Sequence, residues 1–248
     1  VFNGDPAALG AGLLGPAALA AVPARAVAPR SLSARVWAFA ARAGGLDLIH
    51  HNVLFTGEPM AEFGPLARGR APAAASFYVC AQDRGAGGTP PGPERFEVIL
   101  NAPPLSASGP PPPASEDQRC HDLMLSTTAA FGLGFDPAPP PAAMTGPAAW
   151  GRMFPGSQGS IYGLSPAGTT AAFRRPVAAT RLPGLWLAGG GVHPGAGVPM
   201  AARSGLHAAA AILSAPPSAS RSGRTAMPGG MSMASPTTES APSRSSGS

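Results

Sequence analysis

The chain has 248 residues, of which 44% are hydrophobic and 12% charged, enough apolar material for one large domain or two small ones with a core. Glycine and proline number 33 and 32, a content that can indicate disorder. However, all 17 basic residues are Arg, and an excess of Ala, Gly, Pro and Arg is typical of a very GC-rich coding sequence. The glycine and proline content alone therefore does not predict disorder. The net charge is +5, yet the arginines are scattered and Arg174-Arg175 is the one adjacent pair, which argues against a nucleic-acid-binding protein.

The first segment predicts a short helix over residues 5–21. Asp5 can cap it, Pro6 suits its first turn, and three leucines share a face: Leu9, Leu13 and Leu14. The uncharged stretch over residues 6–24 does not predict a membrane span, because it is mostly Ala and Gly and is interrupted by Pro16 and Pro23.

From Leu32 the hydrophobic pattern changes to a period of two, which indicates strands. In the first strand Leu32, Val36 and Ala40 alternate with a second face made of Ser33, Arg35, Trp37 and Phe39. Further strands are predicted over residues 52–56, 76–81 and 95–101, separated by Gly- and Pro-rich turns. We therefore expect a mostly antiparallel sheet with hairpin-like connections.

The second half of the sequence alternates helices with Pro-rich segments. A helix is predicted from Ser115 to about Ala130, with acidic residues in its first turn, and residues 138–147 are predicted to be a linker. A strand at residues 185–188 runs into a glycine turn, and a helix follows from Val198. The spacing of its apolar residues predicts a core-facing stripe: Val198, Ala202, Gly205, Leu206, Ala209, Ile212 and Leu213. Residues 214–248 are rich in Ser, Pro and Gly and are predicted to be a disordered tail.

Neither the cysteines nor the histidines predict a metal site. Cys80 and Cys120 have no CxxC partner and no histidine at ligand spacing, so we expect small buried side chains in a reducing compartment. His50 and His51 adjoin each other and should point to opposite faces of an extended chain, which makes them a weak metal candidate. His193 has no second ligand nearby and is interpreted as a hydrogen-bonded loop residue.

Residues 185–211, LWLAGGGVHPGAGVPMAARSGLHAAAA, are the most informative stretch. Strand, glycine turn and helix follow one another, and the glycines remove side chains that would block the close approach of a large flat group. The start of the helix offers free N–H groups and partial positive charge, which favours anionic atoms such as phosphate oxygens or the N1/O2 side of a reduced flavin.

Four other interpretations are weaker or remain open. No Gly-Lys-Ser/Thr follows the glycines, so this is not a P-loop, and no acidic ribose partner marks a dinucleotide fingerprint. Around Ser165 the order Gly-Leu-Ser-Pro-Ala lacks the second glycine of a nucleophile elbow, which argues against a serine hydrolase. A plain glycine-rich turn in a GC-biased sequence stays open as the bland alternative.

Four segments resemble the phytoene desaturase family of carotenoid desaturases, in the same order along the chain. They are VFNGDPAAL, YVCAQDRG with PERFEVILNAP, FPGSQGSIYGLSPAGTTAAFRRP, and GLWLAGGGVHPGAGVPMAARSG, which resembles the family's C-terminal flavin signature. Together they are most similar to the bacterial branch of 1-hydroxycarotenoid 3,4-desaturases, also called methoxyneurosporene dehydrogenases. The family's N-terminal GxGxxG segment has no counterpart, so we expect the chain to be the C-terminal part of such an enzyme.

The resemblance implies a two-domain α/β flavoprotein of the amine-oxidase-like kind. Residues 1–147 would be part of a mixed-sheet substrate domain, and residues 148–213 would return to the FAD domain as its closing strand and helix. The implied activity is FAD-dependent desaturation of an acyclic carotenoid, with this part alone inactive. The implied FAD contacts are Gly189, Gly190, Gly191, His193, Pro194, Gly195, Ala196, Gly197, Val198, Pro199 and Met200. No side chain is convincing as a general base, so no catalytic residue is assigned.

The implied partners are a lipophilic carotenoid, a membrane surface bound peripherally from the cytoplasm, and an electron acceptor that the sequence does not identify. Two departures concern the site: Val192 stands where a Thr or Ser is usual, and residues 167–169 read Ala-Gly-Thr where His-Gly-Trp is usual. Two alternatives stay open. One is a related flavin oxidoreductase, of the phytoene desaturase, carotene isomerase or amine oxidase type. The other is a truncated, inactive remnant.

Overall fold

In the computed structural model, which describes residues 1–55 and 57–215, the central feature is a six-stranded sheet. Its strands are β1 (Ser33–Gly44), β2 (His51–Leu54), β3 (Phe77–Ala81), β4 (Glu94–Ala102), β5 (Gly134–Asp136) and β6 (Met144–Thr145). The spatial order is β2-β3-β4-β1-β5, with β6 also paired to β1. All pairings between these strands are antiparallel, which confirms the predicted antiparallel character of the sheet.

Six helices accompany the sheet within the described residues. They are α1 (Ala7–Gly10), α2 (Pro59–Ala67), α3 (Ala114–Ala130), α4 (Pro147–Met153), α5 (Ala171–Arg174) and α6 (Val198–Ser214). None of the helices described is long and apolar enough to cross a membrane. Residues Val1–Ala215 form one compact unit, so the division at residue 147 stays a prediction. All but the first two residues of the predicted tail lie outside the described part of the chain.

The main core lies between the sheet and α3. Alternate residues of the strands point inward, and the largest buried side chains there are Trp37, Phe77, Phe96 and Leu100, with Met124 from α3. The Trp37 indole N–H donates a hydrogen bond to His121 Nδ1 at 3.0 Å, which satisfies the one polar group that Trp brings into the core.

Two buried arginines, one on β1 and one in the 3₁₀ turn Gln82–Arg84 after β3, are neutralised by carboxylates. Arg35 on β1 is fully buried and pairs with Glu116 at 2.6 Å and Asp117 at 3.0 Å, the acidic residues of the first turn of α3. Arg84 pairs with Glu94 through two hydrogen bonds of 2.6 and 2.8 Å. Because an unpaired buried charge is costly, these pairs fix α3 and the β3–β4 connection against the sheet.

The N-terminal segment differs from the predicted helix over residues 5–21. Only α1 is α-helical, and after it a 3₁₀ turn spans Pro16–Ala20. The prediction was wrong beyond Gly10 because Gly12 and Gly15 adopt φ of 73° and 90°, which right-handed helices do not contain. Asp5 accepts a hydrogen bond from the Ala7 N–H at 2.9 Å, but the residue at the N-cap of α1 is Pro6.

Two further elements also differ. The predicted linker at residues 138–147 contains a 3₁₀ turn at Pro141–Ala143 and strand β6, because this segment passes beside β1 and pairs with it. The predicted strand at 185–188 is reduced to two isolated bridges, one parallel between Leu187 and Phe2 and one antiparallel between Trp186 and Ala179.

The last helix forms as predicted, but its buried face is not the predicted stripe. Ser204 and Ala208 are buried, whereas Val198, Leu206 and Leu213 are 84%, 71% and 86% exposed. The small residues pack against the glycine turn, and the large apolar residues of α6 face away from all described parts of the chain.

Candidate functional site

The glycine turn is attached to α6 by one buried serine. Ser204 is fully buried, and its Oγ accepts a hydrogen bond of 2.7 Å from the Gly189 N–H and donates one of 2.6 Å to the Ala201 carbonyl. Before the turn, the Phe2–Leu187 bridge attaches the same segment to the N-terminal residues. The turn is therefore fixed where it begins, at Leu187 and Gly189.

The first half of the turn approaches the N-terminal segment closely. A Cβ atom on Gly191 would lie 2.6 Å from Pro6 Cδ, so only glycine fits there. Gly190 and Gly191 line a cavity of ≈350 Å³ together with Asn3, Asp5 and Trp150.

The second half of the turn lines a different cavity, of ≈500 Å³. Its described lining residues are Tyr162, Pro166, Gly168, Thr169, Ala171, Ala172, Arg175, Pro194, Gly195, Ala196 and Gly197. The structure thus brings four predicted cofactor contacts, at residues 194–197, against the segment around residues 166–172. Both belong to motifs that carried the family resemblance, although about thirty residues separate them in sequence.

Gly197 forms the part of the cavity surface that no side chain covers, here called its open floor. It precedes α6 with φ 101° and ψ 144°, a conformation almost confined to glycine, and no heavy atom lies within 4 Å of the position a Cβ would take. Gly197 has no side chain to cap the helix, Pro199 has no N–H, and the Ala201 N–H bonds the Gly197 carbonyl at 2.8 Å, so the N–H groups of Val198 and Met200 are left for other acceptors. A flat group that carries carbonyl oxygens or negative charge fits this combination of space, donors and helix dipole.

Arg175 contributes positive charge to the same cavity. Its guanidinium is 7% exposed and donates to the Gly190 carbonyl at 3.2 Å and to the Leu164 carbonyl at 3.0 Å, joining the glycine turn to the opposite wall. It forms no ion pair within the described residues. Burial, and then the charge of nearby Arg30, lowers the pKa of Arg175, and the Asp5 carboxylate that pairs with Arg30 partly opposes this shift. A guanidinium remains protonated, so a positive charge faces the cavity.

The remaining predicted site residues lie around the edge of this arrangement. His193 donates its backbone N–H to the Pro176 carbonyl at 2.8 Å, and its Nδ1 lies 3.3 Å from the Ala172 carbonyl, as expected for a hydrogen-bonded loop residue. Val198, Pro199 and Met200 are exposed at the start of α6.

The Val192 side chain lies away from both cavities. It is fully buried in a cluster with Leu9 and Leu187. The replacement of a usual Thr or Ser at this position therefore changes the packing behind the turn, rather than removing a hydroxyl from the cavity surface.

The ≈500 Å³ cavity contains little acid–base chemistry. Among its described lining residues the titratable side chains are Tyr162 and Arg175, with no Asp, Glu or His. No general base is assigned from this lining.

A larger and mostly apolar cavity adjoins the first. It measures ≈790 Å³ and shares Pro166 with the ≈500 Å³ cavity; one wall is α2, through Phe63, Leu66 and Ala67, and another is the loop that contains Leu105. Glu62 anchors α2, because its buried carboxylate accepts hydrogen bonds of 2.9 Å from the Ser76 N–H and from the Asn101 side chain. A long apolar molecule entering this cavity would meet the glycine-lined cavity at Pro166.

Two residues of the site were missed from sequence. Arg175 was noted only as part of an adjacent pair, although it lies in the FRRP end of a motif that resembled the family. Ser204 is not predicted because the apolar periodicity of α6 favours its larger side chains as the buried face. A serine spaced with alanines at three- and four-residue intervals is instead typical of a close-packed helix face.

Residues 23–213 match the family described as flavin containing amine oxidoreductase. The chain is 56% identical over 213 residues to a hydroxyneurosporene desaturase of Cereibacter sphaeroides and 53% identical over 213 residues to one of Rhodobacter capsulatus; each alignment covers 86% of this chain and 42% of the relative. A hydroxyneurosporene desaturase of Rubrivivax gelatinosus is 43% identical over 242 residues, covering 96% of this chain and 46% of the relative. The chain thus spans less than half the length of these relatives, and the predicted resemblance to carotenoid desaturases is confirmed.

Proposed function

The chain belongs to the flavin containing amine oxidoreductases, and we propose that it is the C-terminal part of an FAD-dependent desaturase that acts on a hydroxylated acyclic carotenoid. The relatives that align along most of this chain are all named for hydroxyneurosporene desaturation, which favours that substrate class over phytoene or an amine.

The observation that carries the proposal is the cavity between the glycine turn and residues 166–172. Its floor is open at Gly197, the first turn of α6 supplies N–H donors, and Arg175 supplies a buried positive charge. The isoalloxazine of FAD needs these three features: a flat space, donors for its carbonyl oxygens, and stabilisation of the negative charge that reduction places near N1. We assign this role to residues 194–197 and Arg175.

The flavin, when bound, supplies the hydride acceptor for removal of hydrogen from a C–C single bond. The residues of this chain bind and orient. The Ser204 hydrogen bonds fix the glycine turn, Arg175 and the dipole of α6 favour negative charge beside it, and the apolar cavity next to Pro166 holds the polyene and keeps water out. No proton acceptor is assigned within this chain.

Tight FAD binding requires the remainder of the protein. The ADP half of FAD is normally held by a glycine-rich βαβ unit and an acidic ribose partner, and this sequence contains neither. The exposed Leu206 and Leu213 on α6 form an apolar face that lacks a partner within the described chain. We assign this face to packing against the segment of the longer protein that the relatives possess and this chain lacks.

A membrane-binding surface is proposed at α2. Met60 and Phe63 are 72% and 45% exposed, Phe63 also lines the apolar cavity, and Arg68 and Arg70 lie exposed just after the helix. Apolar side chains beside arginines suit the headgroup region of an anionic membrane, from which a carotenoid could pass directly into the cavity. Sedimentation with anionic vesicles should therefore be lost in a Met60→Ser/Phe63→Ser variant, while a matched Val1→Ser variant retains it.

The activity is tested with a chimera in which residues 1–215 replace the matching segment of the Cereibacter sphaeroides relative. We expect this chimera to purify yellow and to convert a 1-hydroxy acyclic carotenoid to a product with one more double bond, seen as a red shift in absorption. A folded but colourless chimera would support the inactive-remnant alternative, and conversion of phytoene alone would move the protein to the general phytoene desaturases.

A further inference from the structure

A cluster of two histidines and a cysteine lies on the sheet, away from the glycine turn, and we propose that it binds a divalent cation of the zinc class. The donor atoms of His50, His51 and Cys80 all lie within 4.8 Å of one another. Cys80 Sγ is 3.8 Å from His50 Nε2 and 3.9 Å from His51 Nδ1, and neither distance is short enough for a strong hydrogen bond.

The strand register builds this cluster. His51 on β2 is the direct cross-strand partner of Cys80 on β3, so their side chains lie on the same face of the sheet. His50 lies in the bend before β2, where the alternation of a strand does not apply, and its ring centroid is 4.2 Å from that of His51. The prediction that the two histidines face opposite ways was therefore wrong, and sequence spacing missed Cys80 because thirty residues separate it from them.

The separations suit a tetrahedral ion. With Zn–S near 2.3 Å and Zn–N near 2.0–2.1 Å, a thiolate and an imidazole nitrogen on one ion lie about 3.5 Å apart. The observed distances exceed this by a few tenths of an ångström, which side-chain torsions can absorb. Imidazole and thiolate ligands favour Zn²⁺ or Cu²⁺ over Mg²⁺ and Ca²⁺, which prefer oxygen.

The surroundings of Cys80 distinguish it from the other cysteine. Cys120 packs in the main core with Met124, and burial raises the pKa of its thiol, so it acts as a small apolar side chain. Cys80 is also buried but lies on the opposite face of β3 from the core residues Phe77 and Val79. Its polar neighbours on that face include the two histidines, Tyr78 and Glu97, its cross-strand partner on β4.

Two nearby groups complete the picture. The Tyr78 hydroxyl lies 2.6 Å from His51 Nδ1 and provides an oxygen donor beside the three ligands. His50 Nδ1 is buried without a hydrogen-bond partner in the described part of the chain. The other ring nitrogen, Nε2, faces Cys80. The position of the ring is therefore not explained by a hydrogen bond at Nδ1.

Such an ion would cross-link two segments at the edge of the sheet. Within the part of the chain that the structure describes, β2 is a four-residue edge strand paired only with β3. A bound ion would join the bend at His50 to β3 across a thirty-residue connection. An ion that binds only the folded chain stabilises that state by RT ln(1 + [ion]/Kd), so the gain keeps growing as the ion concentration exceeds Kd.

The test uses the purified chain and Co²⁺ as a spectroscopic substitute for Zn²⁺. We expect a thiolate-to-cobalt charge-transfer band in the wild type and in Cys120→Ser, and no such band in Cys80→Ser. Competition by Zn²⁺ should show that His51→Gln weakens binding by more than about 100-fold, since loss of even an outer-shell partner costs 10–100-fold, whereas His207→Gln leaves it unchanged. Zn²⁺ should raise the melting temperature only where the cluster is intact.

Circular dichroism of each variant establishes that it is folded. Because His51 is exposed, His51→Gln keeps the test decisive even if Cys80→Ser disturbs β3. Absence of the charge-transfer band in folded wild type, or a band that survives both Cys80→Ser and His51→Gln, would overturn the proposal.

Discussion

Replacement of Gly197 by valine tests whether the open floor of the glycine-lined cavity is the place where flavin lies. The residue has φ 101° and ψ 144°, a backbone conformation that residues other than glycine rarely adopt. Nothing lies within 4 Å of the Cβ position, so the folded chain has space for a side chain there. Forcing a non-glycine residue into this conformation costs about 1–3 kcal/mol of folding free energy. The branched side chain would also fill the space assigned to the isoalloxazine.

Gly15 provides a matched control for the backbone strain. It also precedes a helical turn, with φ 90° and ψ 165°, and it too has nothing within 4 Å of its Cβ position, but it does not line the cavity. In the chimera, Gly197→Val and Gly15→Val should lower the melting temperature by similar amounts, and only Gly197→Val should abolish flavin retention, measured as the flavin-to-protein absorbance ratio. Equal flavin occupancy in the two variants would refute the assignment of the cavity.

Three further predictions concern stability and assembly. Glu94→Ala should lower the free energy of unfolding by about 3 kcal/mol, measured by urea denaturation, because it leaves the buried Arg84 guanidinium without a carboxylate; an effect no larger than that of Asp83→Ala, in an exposed pair, would contradict this. Burial, followed by the hydrogen bond to Cys80, raises the pKa of Tyr78 to about 12, so the folded state holds this proton more tightly than the unfolded state. Its contribution to stability is complete below the ordinary tyrosine value near 10 and is lost as the pH rises to about 12, and Tyr78→Phe should flatten the pH dependence of the melting temperature in that window. Leu213→Glu should reduce aggregation of the isolated chain, followed by light scattering, and should weaken flavin retention in the chimera; unchanged retention would show that this face of α6 has no partner in the longer protein.

The sheet and α3 were predictable because their patterns are local. The alternation along β1 and the acidic first turn of α3 reflect the burial of one face. Strands β2, β3 and β4 and helix α3 lie within two residues of their predicted bounds, whereas β1 continues past Ala40 to Gly44 and the short strands β5 and β6 were not predicted. The prediction of the N-terminal helix was wrong beyond Gly10 because it followed the high helix propensity of Ala and Leu. Gly12 and Gly15 adopt a left-handed backbone that propensity does not reveal.

The site was predictable only in part, because sequence motifs name residues but not their partners. Residues 194–197 line a cavity as the flavin signature suggested, yet their contacts with Arg175 and with residues 166–172 depend on tertiary packing. The stripe on α6 was misassigned for a related reason. Hydrophobic periodicity indicates which face of a helix is buried but not which segment packs against that face. The segment that we propose packs against Leu206 is not part of this sequence.

The most direct test of the central claim is a titration of FAD into the chain alone and into the chimera, followed by flavin fluorescence. The chain alone offers a helix start and a few hydrogen bonds, each contributing on the order of 1 kcal/mol, and lacks the unit that holds the ADP half. We predict no tight quenching with the chain and stoichiometric quenching with the chimera. Stoichiometric, tight quenching by the 248-residue chain itself would contradict the account, because the cofactor site would then be complete without any further segment.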